Sequence, residues 1–301
     1  MSAKFPIVAV TGASGAGTST AQRVFRRMFE SLKLDAAYVE GDSFHAYDRE
    51  QMRALTEKAR IRGENFSHFG PGSNLLDKLE KLFRDYGNRG TGLVRRYLHT
   101  EEEGKLAGQT VGTFTPWTKL PPDTDVLFYE GLHGGLVTSE VNVARHVDLL
   151  IGVTPIINLE WIQKIHRDRE ERGHKPEEVT ATILRRMPDY VNYITPQFSR
   201  TDVNFQRVPL VDTSNPFVER EIPTQAESLV VISFRLNSRV EADIGKLVDG
   251  IDGAFLSRPM TLVVPGEQME AAMEATLRPA VKRLAARRKK ALAEDADKTD
   301  K

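Results

Sequence analysis

A glycine-rich loop between a short apolar run and a helix-like segment constrains this chain more than any other feature. The apolar run covers residues 7–10, and the loop reads Gly-Ala-Ser-Gly-Ala-Gly-Thr-Ser-Thr over residues 12–20. The separation of Gly12 from Gly17 matches the pattern G-x-x-x-x-G-K-[ST], whose backbone N–H groups cradle phosphate. Glycine suits such a loop because a side chain would block the approach of the backbone to the phosphate. The order strand, loop, helix therefore predicts a nucleotide site at the N-terminus of the first helix.

One position of this loop departs from the pattern. Thr18 stands where the pattern has lysine, whereas Ser19 supplies the hydroxyl that would bind Mg²⁺. The phosphate that is transferred then needs a cation from another part of the chain. The predicted nucleotide-binding residues are Gly12, Ala13, Ser14, Gly15, Ala16, Gly17, Thr18, Ser19 and Thr20.

The alternation of strand-like and helix-like segments predicts an α/β fold. We expect a mixed, mostly parallel sheet with helices on both faces. Residues 93–99 and 110–117 predict an antiparallel pair of strands around a polar loop, and the later strands predict further antiparallel additions. No repeat or linker is visible, which favours a single domain over residues 1–286. The charged segment 287–301 has no apolar face, and we expect it to be disordered.

Composition restricts the class of function. The 301 residues include 42 Lys and Arg against 42 Asp and Glu, so the basic footprint of a nucleic-acid-binding protein is missing. The chain has no cysteine, which excludes disulfides, thiolate nucleophiles and cysteine zinc sites. We recognise neither a signal peptide nor an apolar run long enough to span a membrane. We therefore expect no membrane partner and a cytoplasmic location.

Three carboxylates are expected near the edge of the sheet where parallel strands end. Asp42 follows the second predicted strand, Glu130 ends the run DVLFYE, and Asp168 lies on the helix after the run HVDLLIGV. Ligands of an open α/β sheet bind beyond the carboxyl ends of its strands, so these acids could serve Mg²⁺ and an acceptor hydroxyl. For any one of them, a helix cap or a turn is the alternative interpretation.

Lys164 is our candidate for the cation that the loop lacks. It shares one predicted helix face with Arg167, Asp168 and Arg172, which follow it at spacings of three, four and eight residues. The alternative is a solvated stripe of ion pairs on an exposed helix.

A second basic group lies after Asp42 and in the predicted pair of strands. His45 and Arg49 are four residues apart, and Arg95 and His99 have the same spacing. Arginine grips phosphate with two parallel N–H donors, so this group favours an acceptor that already carries a phosphate.

The loop, the segment EGDSFH, the run DVLFYEG and the segment KIHRDRxxR together resemble phosphoribulokinase of the proteobacterial type, over residues 5–285. That type is similar in having threonine in place of the loop lysine. The resemblance implies a P-loop, nucleoside-kinase-like fold. It also implies phosphorylation of the C1 hydroxyl of D-ribulose 5-phosphate by ATP with Mg²⁺, which gives ribulose 1,5-bisphosphate for the Calvin cycle. A homo-octamer activated by NADH and inhibited by AMP is implied as well.

The resemblance also implies roles for individual residues. Asp42 would be the catalytic base, Asp168 a second essential acid, and Lys164 the cation on the transferred phosphate. The implied Mg²⁺ ligands are Ser19, Glu130 and Asp168. The residues implied to hold the sugar phosphate are His45, Arg49, Arg167, Arg172 and His99.

Two alternative functions remain open from the sequence. A uridine-kinase-like nucleoside kinase would need an aromatic side chain to stack on a base, and Phe44, Tyr47, Phe66 and Phe69 are candidates. A regulatory protein that binds ATP without transferring phosphate is suggested by the missing loop lysine. The set of three carboxylates argues against it, because a binding module needs no base.

Overall fold

An eight-stranded mixed sheet organises the protein, which we describe from a computed structural model. The structure describes residues 2–13, 17–154, 156–170, 175–218 and 221–299. The strands are β1 (Ile7–Thr11), β2 (Ala36–Glu40), β3 (Leu93–Val94), β4 (Thr118–Lys119), β5 (Val126–Gly131), β6 (Leu149–Val153), β7 (Val203–Pro209), β8 (Ser228–Phe234), β9 (Phe255–Arg258) and β10 (Thr261–Pro265). The helices are α1 (Thr18–Leu32), α2 (Arg49–Ile61), α3 (Leu76–Arg89), α4 (Glu101–Ala107), α5 (Ile157–Glu170), α6 (Pro176–Arg185), α7 (Met187–Asp189), α8 (Ile244–Gly250) and α9 (Met269–Thr299).

The strand order in the sheet is β2-β5-β1-β6-β7-β8-β10-β9. The first five strands of this order pair in parallel, and the last three join by antiparallel pairing. The predicted fold class, a mostly parallel sheet with antiparallel additions, is therefore confirmed. Because the parallel strands share one direction, β1, β2, β5 and β6 all end at the same edge of the sheet.

Both faces of the sheet are covered by apolar side chains. On one face Val8 and Phe128 pack with Phe25 of α1 and Met273 of α9, all of them fully or almost fully buried. On the other face the neighbouring strand residues pack with helix α3. Burial on both faces explains why the central strands are continuous apolar runs instead of alternating ones.

The antiparallel pair predicted around residues 93–117 is present but shorter. Strand β3 pairs with β4, and Tyr97 forms an isolated antiparallel bridge with Phe114. Helix α4 lies between them, where we expected a polar loop. It starts at a capping box in which the Thr100 hydroxyl accepts a hydrogen bond from the Glu103 amide and the Glu103 carboxylate accepts one from the Thr100 amide.

The charged segment from residue 287, which we expected to be disordered, is helical as far as Thr299. The sequence does not reveal that basic residues of this segment form ion pairs with acids next to strands of the sheet. Arg287 Nη2 lies 2.5 Å from Asp148 Oδ1, and Arg288 Nη1 lies 2.9 Å from Asp125 Oδ1. Both carboxylates lie just before a strand, so the end of α9 is tied to the sheet by charge as well as by apolar contact.

Within the described ranges, no helix is both long enough and apolar enough to cross a membrane.

We predict that Asp148→Ala lowers the free energy of unfolding by about 3 kcal/mol. The buried carboxylate accepts a hydrogen bond from the Ile7 amide at 3.0 Å and pairs with Arg287, so its removal leaves both groups without that partner. Chemical denaturation measures the change. The control is Glu294→Ala, which removes half of an exposed ion pair with Lys290 and should cost less than about 0.5 kcal/mol. Equal effects of the two variants would contradict this account of α9.

Candidate active site

The turn after β2 places Asp42 beside the end of β5. A Cβ atom on Gly41 would lie 2.7 Å from Tyr129 Oη and 2.9 Å from Gly131 Cα, so only glycine fits here without a shift. The two strand ends can approach each other because neither Gly41 nor Gly131 has a side chain. This approach brings the carboxylate of Asp42 close enough to act electrostatically on that of Glu130.

Burial raises the pKa of Glu130, and the negative charges of Asp42 and Glu40 raise it further. A hydrogen bond from the Thr18 side chain to the Glu130 carboxylate acts in the opposite direction. A carboxylate whose pKa is raised by neighbouring negative charges lies where a cation is favourable.

The glycine-rich loop ends at Gly17, whose φ of +108° lies in the left-handed region that glycine tolerates. The next residue, Thr18, is buried at the position of the missing lysine, where its hydroxyl is engaged by Glu130. Ser19 and Thr20 follow in the first turn of α1, with Ser19 exposed. Ala13 is buried, whereas Ser14, Gly15 and Ala16 lie outside the described residues. Within the described residues of the loop, no basic side chain takes the place of the missing lysine.

Two histidines flank Asp42. His45 Nε2 lies 3.6 Å from Asp42 Oδ1, and His99 Nε2 lies 3.7 Å from Asp42 Oδ2. Burial lowers the pKa of His45 to about 3, and the positive charge of Arg95 adds to this effect. His45 is therefore neutral near pH 7, so its contact with Asp42 is not an ion pair. The Asp42 side chain is 43% exposed, which leaves it open to a ligand.

Arg49 lies in the first turn of α2 and joins this group. Asp48 caps the helix through a capping box with Gln51, which fixes the direction of its first turn. Arg49 Nη2 donates to the His99 carbonyl oxygen at 3.3 Å. The structure thus brings together Asp42, His45, Arg49 and His99, which the sequence places in three separate segments.

His68 and Phe69 lie in a loop that contacts this group, and no role for His68 was predicted from the sequence. The rings of His45 and His68 are 4.4 Å apart between centroids. His133 Nε2 lies 3.0 Å from the Phe69 carbonyl oxygen, and burial lowers the pKa of His133 to about 4. Because a carbonyl only accepts hydrogen bonds, the neutral His133 ring carries its proton on Nε2. His133 therefore anchors the backbone next to His68.

Helix α5 supplies the other side of the site. Lys164 Nζ donates to Asp168 Oδ2, and both side chains are less than 10% exposed. Burial lowers the pKa of Lys164 to about 8, Arg186 lowers it further, and Asp168 opposes both effects. The alternative of a solvated stripe does not describe this pair. Arg167 Nε lies 4.0 Å from Asp168 Oδ1, whereas Arg172 lies outside the described residues.

A buried polar cluster below Lys164 was missed from the sequence. Glu160 Oε1 lies 3.8 Å from Arg186 Nη2, and the hydroxyl of Tyr190 donates a hydrogen bond to Glu160. The Arg186 guanidinium lies 4.6 Å from the centroid of the Phe69 ring. Glu160 could have been suspected because it precedes Lys164 by one helical turn. The position of Arg186, twenty-two residues beyond Lys164, had no local signal.

His68 connects the two halves of the site. It is exposed to solvent, yet enough protein surrounds it to lower its pKa. Positive charge at Arg186 and Lys164 also lowers the pKa of His68, while negative charge at Asp42 raises it. Asp42 and Lys164 therefore both act electrostatically on the ring of His68.

The residues present fit a magnesium ion that arrives with a nucleotide. No three or more described His, Asp or Glu side chains are grouped as a metal cage. Mg²⁺ usually takes one or two carboxylates and completes its shell with phosphate and water, so it needs no such cage. The partly buried carboxylate of Glu130, with Asp42 nearby, has this chemistry.

Comparison with known proteins decides the family. The sequence profile of the Phosphoribulokinase / Uridine kinase family matches residues 7–214. The plasmid phosphoribulokinase of Cupriavidus necator is 56% identical over 292 residues, which are 97% of this chain and 99% of that relative. The chain belongs to the phosphoribulokinase/uridine kinase family. Membership makes it an ATP-dependent kinase.

Further relatives of this family agree over nearly the whole chain. A probable phosphoribulokinase of Escherichia coli K12 is 56% identical over 94% of this chain and 98% of that relative. The solved structure of phosphoribulokinase from Rhodobacter spheroides superposes with a TM-score of 0.88 at 47% identity. The superposition covers 96% of this chain and 100% of the Rhodobacter chain. The P-loop kinase fold therefore extends through the antiparallel strands and α9.

We predict that Glu160→Gln gains stability relative to the natural protein as pH rises. Burial raises the pKa of Glu160 from 4.5 to about 7. Between these values the folded protein holds a proton that the unfolded chain has lost, so its stability falls as pH rises. Glutamine does not ionise, so the variant does not lose stability in this way. The complete loss in the natural protein is about 3 kcal/mol of unfolding free energy.

Thermal unfolding at about pH 5, 6.5 and 8 measures the difference between the two proteins. The control Glu177→Gln changes an exposed residue of α6 and should show no such trend. A difference for Glu160→Gln that stays constant with pH would contradict the raised pKa.

Proposed function

We propose that this protein transfers a phosphoryl group from ATP to the C1 hydroxyl of D-ribulose 5-phosphate, which gives ribulose 1,5-bisphosphate for the Calvin cycle. The observation that carries the proposal is the match to phosphoribulokinases over almost the full length of the chain. The site supports it, because it contains a partly exposed carboxylate beside basic groups and a buried lysine on α5.

Asp42 is the proposed catalytic base. It is partly exposed beside His99 and Arg49, where an acceptor hydroxyl can reach it. In a loose transition state the hydroxyl proton leaves late, so an ordinary carboxylate is a sufficient base. Neutral His45 donates or accepts a hydrogen bond without competing for that proton.

Lys164 is the proposed replacement for the loop lysine. Asp168 holds its ammonium group in place, and burial strengthens its attraction to phosphate. Ser19, Glu130 and Asp168 are the residues that would hold Mg²⁺. The ion would neutralise charge on the phosphates of ATP.

The acceptor phosphate is assigned to the basic residues around Asp42 and on α5. Arg49 and His99 lie together on one side, and Arg167 lies beside Asp168 on the other. The proposed set is His45, Arg49, Arg167, Arg172 and His99.

A nucleoside acceptor is less favoured by the aromatic side chains near the site. Phe44 is buried and packs on Trp117, with ring centroids 5.7 Å apart. Phe69 is buried and packs on Tyr190 at 5.5 Å. These rings are engaged in packing, so they offer no open face to a base. The ATP-gated regulatory protein is also less favoured, since the named relatives are kinases.

Three further properties follow from the resemblance to the proteobacterial type. We propose activation by NADH, inhibition by AMP and assembly into a homo-octamer. A cytoplasmic location is also proposed, because ATP and sugar phosphates are cytoplasmic metabolites.

A coupled assay of ADP release tests the proposed reaction. With ATP and Mg²⁺, we expect turnover on ribulose 5-phosphate, none on uridine, and a faster rate when NADH is added. Turnover on uridine alone would overturn the acceptor assignment. Binding of ATP without turnover on either acceptor would favour the regulatory alternative.

We predict that Asp42→Asn lowers kcat by roughly 10²–10⁴-fold or more, since general-base catalysis contributes on that scale. The amide cannot take the hydroxyl proton, but it keeps the size of the side chain. The affinity for ATP, measured by calorimetry, should change little. Near-normal turnover of the variant would show that Asp42 is not the base.

We predict that Lys164→Met lowers kcat far more than Thr18→Ala does. Methionine keeps the length of the side chain but removes the charge that would neutralise the transferred phosphate. Thr18 only donates to Glu130, so its loss should be milder. Steady-state kinetics of the two variants measure the difference. Comparable losses at both positions would contradict Lys164 as the substitute cation.

A further inference from the structure

Arg95 makes two hydrogen bonds to the turn that carries Asp42. Its Nε donates to the Ser43 carbonyl oxygen at 2.9 Å, and its Nη2 donates to the His45 carbonyl oxygen at 2.5 Å. Ser43 directly follows Asp42, and His45 is the residue that ends the turn Gly41–Phe44. Both acceptor residues are buried, so their carbonyl groups depend on protein donors.

Aromatic rings fix the plane of the Arg95 guanidinium. Its Cζ lies 3.6 Å from the centroid of the Phe114 ring and 4.8 Å from that of Trp117. Lys78 Nζ lies over the same Trp117 ring at 4.8 Å. Stacking on two rings holds a planar cation in one orientation, which sets the direction of its N–H donors.

The small antiparallel sheet brings these groups together. Val94 pairs with Thr118, so the next residue on each side places Arg95 beside Trp117. Further along, Tyr97 forms a bridge with Phe114. Trp117 also packs on Phe44 of the turn. The residues directly next to β3 and β4 therefore contact the turn, Trp117 through its aromatic ring and Arg95 through its guanidinium.

We propose that Arg95 is a positioning residue that fixes the turn Gly41–Phe44 and so holds the carboxylate of Asp42 in reach of the acceptor hydroxyl. The proposal rests on the proposed function. It replaces the expectation that Arg95 grips the phosphate of the acceptor. Arginine is required because lysine offers no planar pair of donors and does not stack in the same way.

The test is a double-mutant cycle between Arg95 and Asp42. Arg95→Lys keeps the charge and should lower kcat by about 30-fold, with the KM values for ATP and ribulose 5-phosphate changed less than about threefold. In the Asp42→Asn background the base is already absent, so the same substitution should lower the residual kcat by less than about twofold.

The matched control is Arg89→Lys, at an exposed arginine at the end of α3 that pairs with Asp85. It should leave kcat and both KM values unchanged. Hydrogen exchange supplies a readout that does not depend on activity. In Arg95→Lys the amides of residues 41–46 should exchange at least about tenfold faster than in the natural protein, with the central strands unchanged.

Two results would overturn the proposal. An equal loss of kcat in the natural and Asp42→Asn backgrounds would show that Arg95 acts independently of the base. A higher KM for ribulose 5-phosphate at unchanged kcat would make Arg95 a phosphate ligand. If the natural protein has no activity on ribulose 5-phosphate, the proposed function fails, while hydrogen exchange still tests whether Arg95 holds the turn.

Discussion

Main-chain hydrogen bonds between β5 and its two neighbouring strands determine which residues meet at the edge of the sheet where the candidate site lies. Their register pairs Glu130 with Val10 of β1 on one side and with Glu40 of β2 on the other. The glycine-rich loop follows β1 directly, and the turn with Asp42 follows β2. A slip of one residue in either pairing would move Glu130 to the opposite face of the sheet. Main-chain pairing thus sets the position of Asp42, the proposed base, relative to the glycine-rich loop.

Around this edge, the protein keeps charged groups out of water by pairing each with a specific partner. Lys164 is held by Asp168, while Glu160 is held by Arg186 and Tyr190. A buried charge without a partner is costly in free energy. Each charged side chain is therefore held in the position where it meets its partner. In the proposed function, Lys164 of α5 supplies the cation that the glycine-rich loop lacks.

The sequence predicted the parts of the site that depend on local pattern. The glycine-rich loop, the acids at strand ends and the spacing of Lys164 and Asp168 are each visible in a short stretch of sequence. Contacts between residues that are distant in the sequence could not be predicted in this way. His68 meets His45, and Arg186 meets Glu160, only because separate segments fold against each other.

The same limit explains two differences elsewhere in the chain. Residues 287–299 lack an apolar face, and nothing local reveals that Arg287 and Arg288 meet acids in front of distant strands. Arg95 was grouped from the sequence with basic residues that favour an acceptor carrying a phosphate. Its donors are instead directed to two backbone carbonyl groups, a fact that only the fold reveals.

The most direct test of the account is a crystal structure with a non-hydrolysable ATP analogue, Mg²⁺ and ribulose 5-phosphate. The account predicts the C1 hydroxyl within about 2.6–3.2 Å of an Asp42 carboxylate oxygen. It also predicts Lys164 in contact with the terminal phosphate of the analogue. A sugar bound with its C1 hydroxyl remote from Asp42, or a terminal phosphate met by another cation while Lys164 stays with Asp168 alone, would contradict it.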